Sequence, residues 1–197
     1  AIGCVDLSLE RLNQGKDPKQ HLEVTNEALA RASRVVAQLR ALHSPMDAER
    51  KVPSDLNKLL ENTLVLIQKR CLDQNIEVNW LATPDLPPVA LMPDAIQQVF
   101  LNLLLNALDA MPEGGWLQLS TSQAQDPAGI LIHLSDTGVG LPADATERVF
   151  EPFYSTKPNS LGLGLFISHN IVREHGGQIE VDSQEGKGTT FRIWLPH

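Results

Sequence analysis

Cysteine is scarce in this 197-residue chain. Cys4 and Cys71 are too few for a disulfide framework and have no metal-type spacing, which suits a reducing cytoplasm. Basic charge is also short: 16 Lys and Arg face 24 Asp and Glu, for a formal net charge of −8. That balance excludes a broad nucleic-acid surface or an anionic-membrane surface, but not an anion held at one local site. No apolar run approaches a membrane span and no secretory signal is visible, so no membrane contact is expected of these residues. Internal repeats and low-complexity tracts are absent as well. The first residue is Ala1 rather than Met. The chain therefore reads as part of a longer protein, whose remainder could carry an anchor. What is present, 42% apolar and 20% charged residues, is ordinary for one large or two small globular domains.

Ile2, Val5, Leu9 and Leu12 recur at spacings of three, four and three. After the turn-like NQGKDP, the alternation continues through Leu22, Thr25, Leu29, Ala32, Val36 and Leu39. This is an a/d seam, and two such helices joined by a short loop predict an antiparallel hairpin over residues 1–45. Its remaining seam would be buried by a second copy as a four-helix bundle, or by the chain's own second domain. Two prolines and several charges in SPMDAERKVP mark residues 46–53 as a linker.

From residue 54 the pattern alternates. A helix is expected over 54–73, with Ser54 as its N-cap, then a strand over IEVNWL (76–81) and a helix over 93–111. WLQLSTS and GILIHLS read as strands, 163–175 as a helix ending at Gly176–Gly177, and QIEVDS and TTFRIWLP as strands. About five strands with helices between them predict an α+β, two-layer sandwich.

The helix over 93–111 is otherwise apolar, yet carries Asn102, Asn106 and Asp109 on one face. Two amides and a carboxylate at such a place need partners from the fold or from a ligand. Three glycine-containing stretches follow, DTGVG (136–140) after a strand, GLGL (162–165) opening a helix and GKGTT (186–190) between strands, with EPFYSTK (151–157) between the first two. Amides at a helix start favour phosphate, and Asp136 at a strand end could accept from an exocyclic amine. The polar stripe could hold a divalent metal with its phosphates, an oxygen set that suits Mg²⁺. Each piece alone has a bland reading: a satisfied core amide, a capped turn, a helix start, a hairpin loop, a solvated Lys157. His21 and His43 read as polar surface, and His133, His169 and His175 form no metal-ligand set.

In this order the stretches resemble the catalytic core of sensor histidine kinases, with the Bergerat-type ATP-binding fold shared with gyrase and mismatch-repair ATPases. NLLLNALDA is similar to the N box, DTGVG to the first glycine box, Phe150 with EPF to the F box, GLGL to the second glycine box and GKGTTF to the last. HGGQIEV also matches, and the hairpin resembles the second part of a dimerisation and phosphotransfer domain. The resemblance implies that Asn106 coordinates the Mg²⁺ of bound ATP, with Asn102 beside it and Asp109 and Ala110 on the same box. It implies that Asp136 reads the adenine amine, helped by Gly138, Val139 and Gly140, and that Phe150 belongs to the site. Lys157 would approach the phosphates. Gly162, Leu163, Gly164 and Leu165 would anchor a short lid, and Thr190 would sit near the adenine end. Asn102, Asn106 and Lys157 are the implied catalytic residues.

In hydrolysing relatives the position of Asn102 resembles a Glu that activates water. An amide cannot take that proton, which favours transfer to a side chain over hydrolysis. The implied partners are ATP, a second copy of the chain and a response-regulator receiver domain, with no nucleic acid. One motif is missing: no histidine here stands in a pattern resembling His-Glu-x-x-x-Pro-Leu. The phosphoacceptor is therefore expected roughly two to three helical turns upstream of Ala1, and this chain is expected to bind Mg-ATP without phosphorylating itself. Labelling of a His within residues 1–197 would overturn that. Rival readings are a gyrase-type ATPase, a nucleotide-dependent binding module, and an aspartic protease built on LSDTG. Steady turnover would mark the first and pepstatin-type inhibition the last.

Overall fold

The computed structural model describes residues 22, 25, 50–157 and 160–197. Leu22 and Thr25 are helical, and the rest of the expected hairpin lies outside the described residues. The chain divides into two units, Ala1–Pro45 and Met46–His197. The second contains the sheet and all of the glycine-containing stretches.

Alternation of apolar and polar residues builds the sheet. β2 (Ile76–Leu81), β4 (Gly115–Gln125), β5 (Ala128–Asp136), β6 (Gln178–Gln184) and β7 (Gly188–Pro196) lie side by side in the order β2–β4–β5–β7–β6. β2 runs parallel to β4 and every other neighbouring pair is antiparallel. Leu117 and Leu119 of β4, Ile130, Ile132 and Leu134 of β5, and Phe191, Ile193 and Leu195 of β7 are buried on one face. Four helices accompany the sheet within residues 50–197: α1 (Leu56–Asp73), α2 (Pro93–Ala110), α3 (Ala143–Arg148) and α4 (Gly164–Glu174). α2 packs against α1, α4 and the sheet, and buries Ile96, Val99, Phe100, Leu103, Leu104, Ala107 and Leu108. Pro93 starts it, where a missing N–H costs no hydrogen bond. The result is the two-layer α+β sandwich expected from the strand and helix pattern.

The short elements differ from expectation. Asp55, not Ser54, caps α1, its carboxylate accepting from the Lys58 N–H at 3.2 Å. Ser54 instead ends β1 (Val52–Ser54), which pairs antiparallel with β3 (Val89–Leu91). The end of the expected linker is thus a strand, and α3 was not expected at all. Among the described residues, no helix is long and apolar enough to cross a membrane.

His175 joins the end of α4 to the start of α2. Its Nδ1–H donates to the Ile171 carbonyl at 2.7 Å, and its Nε2 accepts the Met92 N–H at 2.9 Å. Only the neutral ring does both, and burial pushes the pKa below the usual 6.5. The folded state refuses a proton that the unfolded chain accepts. Stability is therefore full above the unfolded pKa and is lost as pH falls below it. We expect the melting temperature to fall from about pH 7.5 to about pH 5, and to fall less steeply in His175→Gln, which has no proton to gain. Equal slopes in the two proteins would refute this assignment.

Candidate functional site

The polar stripe of α2 faces the start of α4 and the loop that precedes it. Asn102 donates through Nδ2 to Ser168 Oγ of α4 at 3.0 Å. Asn106 Oδ1 accepts from Lys157 Nζ at 3.3 Å, and the same ammonium donates to Asp109 Oδ2 at 2.9 Å. Arg70, in the last turn of α1, donates to the other oxygen of Asp109. Burial raises the Asp109 pKa, but Lys157 and Arg70 outweigh it and hold the carboxyl below its usual 3.8. The stripe is therefore partnered within the protein, the fold being the first of the two sources of partners that the sequence leaves open. A ligand that takes Asn106 Oδ1 or the Lys157 ammonium competes with these bonds.

At the C-terminal end of α2, the Ala110 carbonyl accepts the Val139 N–H at 3.0 Å, which pins the DTGVG loop to the helix. Gly138 lies against it, so close that a Cβ there would come within 2.6 Å of the Ala110 oxygen. Asp136 ends β5 and is buried. Its Oδ1 accepts from the Gly138 N–H at 2.9 Å and the Thr189 N–H at 3.3 Å. Among the described residues, nothing donates to Oδ2. Burial pushes the Asp136 pKa above 3.8, against the two amide bonds and the charge of Lys157. One carboxylate oxygen is fixed and the other left over, which fits an N–H donor of a ligand.

Backbone packs on backbone around this carboxylate. A Cβ on Gly140, at φ +67°, would fall 2.1 Å from the Gln184 carbonyl, and one on Gly188, at φ +107°, 1.9 Å from the Asp136 carbonyl. These glycines bring the first glycine box and the β6–β7 hairpin together. Gly162 lies against the Tyr154 carbonyl, and Gly164 against Asn102 Oδ1, within 2.4 Å of where a Cβ would stand in each case. Leu163 is buried at the head of α4, Leu165 half-buried one step in, and Val139 exposed. The first amides of α4 have no helical acceptor and open beside the Asn102 face, a place suited to phosphate. Phe150 packs its ring on His169, with centroids 5.3 Å apart.

Thr190 is placed otherwise than expected. It pairs with Ser135 across β5 and β7, hydroxyl to hydroxyl at 2.8 Å, on the face away from the helices. Thr189 is the cross-strand partner of Asp136 and shares its buried face. Counting back by twos from the apolar Phe191, Ile193 and Leu195 would have selected Thr189. Ser168 and Arg70 carried no comparable signal, because their roles depend on how helices pack.

For the ligand that the motifs imply, the donor set fits a nucleotide with its magnesium. Among the described residues no group of three His, Cys, Asp or Glu could hold a metal. A cation at Asn106 Oδ1 would therefore arrive with phosphate oxygens and water, as Mg²⁺ prefers.

The family of histidine kinase-, DNA gyrase B- and HSP90-like ATPases matches residues 92–197. That is more than half of the chain, and the chain belongs to this family. Relatives of the chain include proteins named sensor histidine kinases. The chain is 38% identical over 194 residues to sensor histidine kinase ZraS of Escherichia coli (strain K12), covering 98% of this chain and 41% of that protein. It is 35% identical over 176 residues to sporulation kinase E of Bacillus subtilis (strain 168), covering 89% and 24%. Full-length ShkA in complex with AMPPNP is similar with a TM-score of 0.76 and 27% identity, covering 91% of this chain and 38% of that one. The catalytic domain of histidine kinase ThkA gives 0.66 at 27% identity, covering 74% and 95%. The chain spans less than half the length of these curated relatives.

Proposed function

We propose that this chain is the ATP-binding catalytic core of a histidine protein kinase in two-component signalling. It would bind Mg-ATP and direct the γ-phosphate to a His on a dimerisation helix, from which it passes to an Asp of a response-regulator receiver domain. The observation that carries the nucleotide reading is Asp136: a buried carboxylate with Oδ1 held by two backbone amides and Oδ2 left for an adenine amine. Asn106 would hold the magnesium through its amide oxygen, and Lys157 and the first amides of α4 would bind phosphate. The metal, when bound, neutralises charge on the phosphates. Asn102 supports transfer over hydrolysis. Its Nδ2 donates to Ser168, and the carboxylate of the stripe, Asp109, is engaged by two cations, so no base on the stripe is poised for water. On the same reading residues 1–45 form the dimerisation hairpin, 46–53 the linker, and 54–197 the catalytic domain. A second copy of the chain would be its partner through that hairpin.

Calorimetric titration tests the reading. The chain should bind ATP in preference to GTP, and chelating Mg²⁺ should weaken ATP binding. Asn106→Ala should lose the Mg²⁺ dependence, with affinity about tenfold lower or worse, as expected for one lost contact to a charged centre. A folded chain that binds no ATP would overturn the proposal.

A further inference from the structure

Arg70 belongs to none of the motifs, yet it is the one group of α1 that reaches the polar stripe of α2 by a side-chain bond. It holds Asp109 Oδ1, while Lys157 holds Oδ2 and also reaches Asn106 Oδ1. Each oxygen of the carboxylate therefore carries one cation, and the three groups sum to a single positive charge.

We propose that Arg70 is a positioning residue for the nucleotide phosphates: by neutralising Asp109, it leaves Lys157 free to turn its charge toward a polyphosphate. The inference rests on the Mg-ATP reading of the site. Two physical effects arise from the geometry. With Arg70 in place, Lys157 is the second of two cations on Asp109, and its departure leaves a neutral pair behind. Without Arg70, Lys157 is the only cation on that carboxylate, so recruiting it to phosphate breaks the whole interaction. A bare Asp109 would then stand three residues from Asn106, where the phosphates and their metal are to be held, and like charges at that range repel. Both effects weaken polyphosphate binding, and neither touches the adenine end at Asp136. Because Arg70, Asp109 and Lys157 are 36%, 35% and 40% exposed, salt screens the repulsion.

The test is calorimetric titration of the wild-type chain, Arg70→Gln and Arg70→Gln/Asp109→Asn, with Mg-ATP and separately with adenosine. Arg70→Gln should weaken Mg-ATP binding by about three- to fivefold in dilute buffer, as expected for partly exposed charges, and by less at about 0.5 M salt. Adenosine affinity should not change, and the double variant should recover most of the loss. A merely structural Arg70 would weaken both ligands alike and would not be rescued by removing the Asp109 charge. That pattern, or an Arg70→Gln chain that binds Mg-ATP like wild type, overturns the inference. A wild-type chain that binds neither ligand overturns the nucleotide reading itself, and this inference with it.

Discussion

On the proposed nucleotide reading, Asp136→Asn should leave the domain folded and lower its affinity for ATP by about a hundredfold or more. The substitution changes the donors and acceptors without changing the shape. An Asn side chain keeps its Oδ1 under the Gly138 and Thr189 amides, so the loop and the strand stay joined. Its Nδ2 then stands where the free oxygen was, and an N–H donor there meets the adenine amine, another donor. The amide cannot turn over to relieve the clash, because that would aim Nδ2 at the two backbone N–H groups. A lost bond to a charged acceptor costs about 1.5–3 kcal/mol, the unpaired donors add to it, and each 1.4 kcal/mol is about a factor of ten. Titration with ATP alongside a thermal melt checks both halves. ATP binding within threefold of wild type would remove Asp136 from the adenine site.

Gly188→Ala should destabilise the domain by about 3 kcal/mol or more, the range for an overpacked and strained position. Its Cβ would lie 1.9 Å from the Asp136 carbonyl and 2.9 Å from Thr137 Cα, atoms that cannot move without separating β5 from β7. For a domain of this size the melting temperature falls by about 10 °C. Gly186 in the same hairpin provides the comparison. It also has a positive φ, +76°, but a Cβ there meets nothing within 4 Å. Gly186→Ala should carry only the left-handed backbone cost of about 1 kcal/mol. Equal melting temperatures for the two variants would show that the close approach at Gly188 relaxes freely.

Much of this could be read before the fold was known, where patterns were long. α2 and the five strands of the main sheet run for six residues or more, enough for a helical or alternating period to declare itself. β1 and β3 have three residues each, too few to alternate, and α3 has six, under two turns of a helix. The N-cap slipped by one residue because Ser54 and Asp55 can both cap a helix, and only the pairing of Val52–Ser54 with Val89–Leu91 decides between them. The three polar residues of α2 were readable as a stripe, but their partners were not. Ser168, Lys157 and Arg70 come from distant parts of the sequence, and nothing local announces which helix faces which. A glycine leaves room for close approach. At Gly140 and Gly188 that room is taken up by the protein's own backbone, which shapes the site by holding its walls.

The pairing of Asp136 with Thr189 joins residues 53 apart in the chain on one rung of the sheet. Everything between them, including Lys157, the GLGL stretch and α4, departs from this rung and returns to it by way of β6, the edge strand beside β7. Residues can be added or removed within such an excursion without shifting the strand register on either side, and doubling a loop costs only about 0.6 kcal/mol in closure entropy. The short segment between Lys157 and Gly162 is therefore a place where length can change while the Asp136 carboxylate keeps its address.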